Sequence, residues 1–261
     1  RSRVFIGLAL VATYAGAGYF SASVGALPYG SFVSIWLTSG VGLIAFQVLG
    51  ARAVPWVLAG GLAVNASPLL RSLEHLPLAA TLLVCLLVSG GGVAQSFLAW
   101  RLAAWLERRV GQPLFTRSAH LLPFTVCVCV LVPLLTVPWI VALPAVLAAQ
   151  TIAVPEIIRW VVYVVIAAAL GLLLAGPLHL AWTQRAARGP YHLRQHLPLG
   201  LALAGILALF FADLPISAVA IFPVVLHASR RYPLWETAIS VLIVAFVRSL
   251  GVAHGVGPLG K

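Results

Sequence analysis

Polar and charged side chains inside long apolar segments are the residues of this chain that could do chemistry. Such groups are costly at membrane depth, so each one marks a candidate site. An arginine can hold a carboxylate or phosphate through two parallel hydrogen bonds, and aromatic and amide groups add selectivity. The pattern therefore predicts a site for a small anionic or polar ligand. Its candidate binding residues are Trp36, Asn65, Arg159, Tyr163, Asp213 and Arg248.

Each of these residues also has a structural interpretation that the sequence leaves open. Arg248 can pair with Asp213 or extend its guanidinium to the lipid headgroups. Trp36 can anchor a helix at the membrane interface, where tryptophan is enriched. Asn65 can cap a helix end. The ligand site and these structural roles therefore remain as alternatives.

No catalytic pattern accompanies the candidate site. The sequence has neither a metalloprotease HExxH motif nor a glycine-rich phosphate loop with lysine. Its acidic residues number only five, and the topology inferred below spreads them over both ends of the molecule. We therefore predict that the chain is not an enzyme.

The histidines and cysteines do not predict a metal centre or a cofactor. His192 and His196 have helical ligand spacing, but a solvated loop explains them equally simply. Cys127 and Cys129 lack further ligands at metal-binding distances in the sequence. We expect no bound metal and no cofactor.

The composition indicates the class of protein that must position these residues. Hydrophobic residues make up 62% of the chain and charged residues 8%, against about 25% charged in soluble domains. Continuous apolar runs near 20 residues indicate spanning helices, whereas a membrane β-barrel shows alternating runs of about 10. The prediction is an all-α, polytopic transmembrane helical bundle that forms one domain over residues 1–261.

Nine apolar segments predict about eight to ten spans, some of them short or kinked. The fifth segment contains four prolines and is expected to bend or split. The fourth segment is expected to continue as an interfacial helix through residues 101–110. The nine segments cover residues 4–24, 34–50, 53–70, 77–100, 119–150, 157–182, 198–212, 215–229 and 233–252.

The basic residues orient these segments in the bilayer. If all nine cross, 12 of the 16 lysines and arginines lie on the side of the amino terminus. Basic residues of short loops accumulate on the cytoplasmic face, so we predict a cytoplasmic amino terminus. Because the arginines are dispersed beside apolar runs, nucleic-acid binding is not expected.

An odd number of spans leaves the carboxyl terminus outside. Two alternatives follow: the protein ends outside, or a further helix after Lys261 returns the chain to the cytoplasm.

Three stretches resemble the membrane-associated sensor domains of the first MASE family. The first is SIWLTSGV at 34–41 with GARAVP at 50–55, followed by a helix that ends near Asn65. The second joins Phe222-Pro223, ASRRYP at 228–233 and GVGP at 255–258. The third runs from Trp160 through Gly171 to Pro177. Two positions depart from the family pattern: Ala168 stands where an Asp is usual, and prolines are missing after Trp36.

The resemblance implies a sensory domain of bacterial histidine kinases and diguanylate cyclases in the inner membrane. Such a domain would detect a small ligand or a membrane cue. It would relay a helix shift to a cytoplasmic output module in two-component or cyclic di-GMP signalling, and homodimers are common. Two other classes stay open. One is a small-molecule transporter or its substrate-binding membrane subunit, and the other is a structural subunit of a membrane complex.

Overall fold

The computed structural model describes residues 2–24, 36–74, 76–111, 114, 121–147, 154–183, 193–212 and 214, with scattered positions between 220 and 251. Over these residues all the regular secondary structure is helical, without a strand, which confirms the all-α class. The helical elements are α1 (Ser2–Val24), α2 (Leu37–Leu49), a 3₁₀ turn (Gly50–Ala53), α3 (Val54–Ser72), α4 (Leu78–Val110), α5 (Leu121–Phe124), a π-helix (Thr125–Val130), α6 (Leu131–Leu147), α7 (Val154–Thr183) and α8 (Leu193–Phe211).

Four stretches of the described residues are long and apolar enough to cross a membrane. Two more apolar helices, Ile158–Leu174 and Leu197–Phe211, are shorter. These residues therefore support a membrane protein with four candidate spans. They do not support the eight to ten spans that the sequence predicts. The four stretches are Val4–Ala22, Leu37–Arg71, Leu78–Val110 and Leu122–Ile140.

The outer faces of these helices are apolar, as a lipid environment requires. Phe5 on α1 is 74% exposed and Leu122 on α5 is 71% exposed. Large exposed apolar patches are rare on soluble monomers. Lipid tails would cover these side chains.

The packing shows how α1, α3 and α4 run relative to one another. Gly7 contacts Trp56 and Gly18 contacts Val64, so α1 and α3 run parallel. The Thr81 hydroxyl donates to the Leu73 carbonyl at 3.3 Å, near the end of α3 and the start of α4. Helix α4 therefore returns antiparallel to α3.

The apolar stretch Leu37–Arg71 is two helices, because α2 runs in the opposite direction to α3 across one short turn. Gly42 packs against Ser96, and the Phe46 ring stacks on Trp100 with centroids 6.0 Å apart, so α2 is parallel to α4. The reversal occurs at Gly50, whose φ of 60° favours glycine. The sequence predicts a boundary between the segments 34–50 and 53–70, and the turn Gly50–Ala53 lies at that boundary.

The described part of the proline-rich fifth segment is continuous helix and is not split. It is helical from Leu121 to Leu147, and Thr125–Val130 adopts the wider π-helical turn. Short π-helical stretches inside α-helices accommodate such irregularities.

The expected extension of the fourth segment is present as one continuous helix. Helix α4 has 33 residues, which corresponds to about 50 Å. It ends at Gly111, whose φ of 67° is left-handed and whose N–H donates to the Glu107 carbonyl at 2.9 Å. The Arg109 guanidinium lies 5.2 Å from the Trp105 ring centroid near this end.

Candidate functional site

A partly open cavity of about 270 Å³ lies where six helices meet. Its wall is formed by α1, the start of α2, α3, α4, α6 and α7. None of the described wall residues carries a charge. The residues that bring polar or aromatic hydrogen-bonding groups to it are Tyr14, Trp36, Asn65, Ser89, Gln95 and Tyr163.

Three of the candidate residues predicted from the sequence share this wall. Trp36, Asn65 and Tyr163 come from three separate apolar segments and line the same cavity. The packing thus brings together residues that are up to 127 positions apart, as their numbers show.

The start of α2 is held inside the bundle by its own backbone. The Trp36 N–H donates to the Ala167 carbonyl of α7 at 2.9 Å, and the Leu37 N–H donates to the Ser21 hydroxyl of α1 at 3.2 Å. The first N–H groups of a helix have no partner within it, so these two bonds satisfy groups that would otherwise be unpaired. Gly171 permits the approach, because a Cβ there would meet the Trp36 carbonyl oxygen.

Helix α2 is too short to cross the hydrocarbon core of a bilayer. Its 13 residues extend about 20 Å, less than the hydrocarbon thickness of about 30 Å. Trp36 is half-buried against the cavity.

Asn65 lies in the interior of α3 and does not cap it. Its Nδ2 donates to the Ser89 hydroxyl of α4 at 3.2 Å. Gly61, one turn earlier on α3, leaves room for the Ser89 side chain, because a Cβ there would stand 3.1 Å from the Ser89 Cβ. One hydrogen bond on the cavity wall therefore joins α3 to α4.

Gln95 is the wall residue whose hydrogen bonding is least complete. Its side chain is 4% exposed, and its buried Nε2 has no hydrogen-bond partner in the described part of the chain. An unpaired buried polar group costs about 1–3 kcal/mol. Among the described polar groups of the wall, this amide most needs a partner from within the cavity.

The Tyr14 side chain reaches the cavity between α3 and α4, where it packs against Gly60 and Gly92. It is 7% exposed. A Cβ at Gly60 would stand 2.9 Å from the Tyr14 Cβ, and a Cβ at Gly92 would stand 3.3 Å from its hydroxyl oxygen. Small residues on α3 and α4 therefore create the space that the phenol occupies.

The remaining predicted residues do not join this wall in the described structure. Arg159 lies one turn before Tyr163 on α7, but it is exposed and does not line the cavity. Tyr163 itself is 40% exposed and forms an outer part of the wall. Asp213 and Arg248 fall outside the described residues.

Three polar wall residues were not selected from the sequence: Tyr14, Ser89 and Gln95. Each is a polar group within a long apolar segment, which is the signal that identified Asn65. For metals, the part of the chain that the structure describes holds no group of three His, Cys, Asp or Glu side chains that could bind an ion.

Comparison with known proteins does not identify the chain, since no protein family, curated protein or solved structure matches it. The function must therefore be argued from the cavity and its surroundings.

Proposed function

We propose that this chain is an integral-membrane sensory input domain that binds a small ligand in the central cavity and relays a helix shift. One observation carries the proposal. Trp36, Asn65 and Tyr163, which the sequence predicts as ligand-binding residues, line the same cavity. A concave, mostly apolar pocket with a few convergent polar groups is the usual form of a small-molecule site.

The polar groups favour a ligand over simple packing. An interior that only packs satisfies its polar groups internally or fills the space with apolar side chains. Here the buried Nε2 of Gln95 lacks a partner beside an open volume of about 270 Å³. A bound molecule with an acceptor atom would supply that partner.

Helix α4 is suited to carry the signal. It contributes Ser89, Gly92 and Gln95 to the cavity and continues to Val110. The last turn holds Arg108 and Arg109. A displacement of α4 at the cavity would therefore also move its carboxyl-terminal end, whose arginines suit the cytoplasmic face.

The wider assignment rests on the charge pattern and on the resemblance to the first MASE family. It comprises a bacterial inner-membrane location, a cytoplasmic amino terminus, eight to ten spans and a cytoplasmic output module. A homodimer and an absence of enzymatic activity in this chain belong to the same proposal.

A transporter is the second candidate, and the start of α2 favours it. Transporters commonly bind substrate where a helix is interrupted near the middle of the membrane. Helix α2 begins within the bundle beside the cavity, and the buried Ser39 hydroxyl in its first turn has no hydrogen-bond partner.

The two candidates predict different behaviour of the bound molecule. Native mass spectrometry of the full chain in lipid nanodiscs should detect one retained small molecule per chain. Asn65→Leu should lose it, because the substitution removes an amide from the wall. Arg71→Leu, at the exposed end of α3, is the matched control and should keep it.

Proteoliposomes then separate sensing from transport. The retained molecule, supplied in isotopically labelled form, should not exchange across the membrane if the chain is a sensor. Counterflow of label above that of empty liposomes would establish the transporter instead. Retention of no small molecule by the wild-type chain would contradict both candidates.

A further inference from the structure

The wall of the central cavity has a charge pattern that restricts its ligand. The described side chains around it offer hydroxyl, amide, indole and phenol groups, and none of them is charged. Arg159 on α7, which the sequence predicts as a ligand-binding residue, is exposed and does not line the cavity. An ion inside this cavity would lose part of its hydration without gaining a counter-charge from the described wall, which is unfavourable.

The apolar part of the wall is equally defined. Val64, Val88, Val137, Ile140 and Val164 surround the polar groups. A ligand must therefore present an apolar body as well as hydrogen-bonding atoms. The volume of about 270 Å³ exceeds the roughly 150 Å³ that accommodates benzene.

Gln95 fixes the hydrogen-bonding requirement. Its amide offers two donors on Nε2 and an acceptor on Oε1, and Nε2 has no partner among the residues that the structure describes. The side chain is 4% exposed and lies on the cavity wall. A half-turn about the last side-chain bond exchanges the two amide atoms, so the group can offer a donor to the cavity.

We infer that the central cavity takes an uncharged, ring-sized molecule whose carbonyl or hydroxyl oxygen accepts a hydrogen bond from Gln95. The inference rests on the proposed function and narrows it, because the anionic half of the ligand class predicted from the sequence is excluded. The apolar body of the molecule lies against the valines of α3, α4, α6 and α7.

A matched pair of probes tests the charge. Benzamide is neutral and carries an amide, whereas benzoate has nearly the same shape and a full negative charge at neutral pH. Binding of each to the full chain in lipid nanodiscs is measured by saturation-transfer NMR, with empty nanodiscs as the blank. Benzamide should bind at least about tenfold more tightly than benzoate, since the wall offers the anion no counter-charge.

A matched pair of variants tests the hydrogen bond from Gln95. Gln95→Leu removes the amide and should weaken benzamide binding by about tenfold, the effect of one lost hydrogen bond. Gln47→Leu is the control. It removes another glutamine whose buried Oε1 has no partner, on α2 and away from the cavity wall, and should leave binding unchanged.

Three results would overturn the inference: benzoate bound as tightly as benzamide, no binding of benzamide to the wild-type chain, or unchanged benzamide binding by Gln95→Leu. The proposed function fails on a different result, namely the absence of any retained molecule in native mass spectrometry. Retention of an anionic molecule would keep the proposed function and reject the inference.

Discussion

At the scale of single residues, Gln95 combines burial with incomplete hydrogen bonding, and its neighbours do not share this combination. Ser96, the next residue, donates to the Gly92 carbonyl of its own helix at 2.9 Å. Asn65 and Ser89 bond to each other across α3 and α4. A residue that lowers stability without a ligand is typical of a binding site, where function and stability make opposite demands.

Gln95→Leu is accordingly expected to stabilise the ligand-free protein by about 1 kcal/mol, because it removes an unsatisfied buried donor and keeps the side-chain volume. Unfolding in mild detergent, followed by tryptophan fluorescence, measures the change. Gln47→Leu should stabilise similarly, so that the two variants agree in stability and differ in ligand binding. A loss of stability in Gln95→Leu alone would assign that glutamine a structural role.

At the scale of helices, the position of α2 shapes the cavity. Its first turn is bound to α1 and α7 through backbone N–H groups, and Gly171 lets the two helices approach closely. Because backbone lies against backbone at this point, no side chain can move aside to make room. The close approach of α2 to α7 therefore depends on one glycine.

Gly171→Ala should destabilise the fold by about 1–3 kcal/mol, the usual cost of an extra carbon in a filled interior, and should also weaken ligand retention. Gly16→Ala on α1 is the control, since a Cβ there would meet no atom within 4 Å. That variant should be neutral or stabilised by up to about 1 kcal/mol. Equal behaviour of the two alanine variants in thermal unfolding would contradict the close contact.

Much of this element structure is predictable from the sequence, and the reasons for the failures are physical. The limits of α2, α3 and α4 follow from apolar runs broken at Gly50 and Pro77, and both breaks are present. The sequence also predicts Asn65 as a site residue, because its amide falls at the outer end of the third apolar segment. It did not reveal that Gln95 would lack a partner, since that depends on which helix packs opposite and leaves a void there.

At the scale of the whole molecule, alternating helix directions separate the charges. Arg52 follows α2, and Arg108 and Arg109 end α4, which runs parallel to α2. They therefore lie at one end of the bundle. Arg71 closes α3 at the opposite end. If the positive-inside rule holds, the end with Arg52 faces the cytoplasm.

Thiol labelling tests this orientation. In a background with Cys85, Cys127 and Cys129 changed to alanine, Arg52→Cys and Arg109→Cys should resist a membrane-impermeant maleimide in intact cells and react in inverted vesicles. Arg71→Cys should show the opposite pattern. All three positions are exposed, so accessibility to the reagent reports the side of the membrane. Labelling of all three from one side would rule out the proposed alternation.

The hydrogen bond from the Trp36 N–H to the Ala167 carbonyl has an evolutionary consequence. It joins two main chains, so its geometry does not depend on which side chains stand at positions 36 and 167. Mutational drift can thus exchange wall side chains for others of similar bulk while the scaffold that frames the cavity persists. A few substitutions in the cavity wall could therefore change which ligand a descendant of this chain binds, provided that Gly171 is retained.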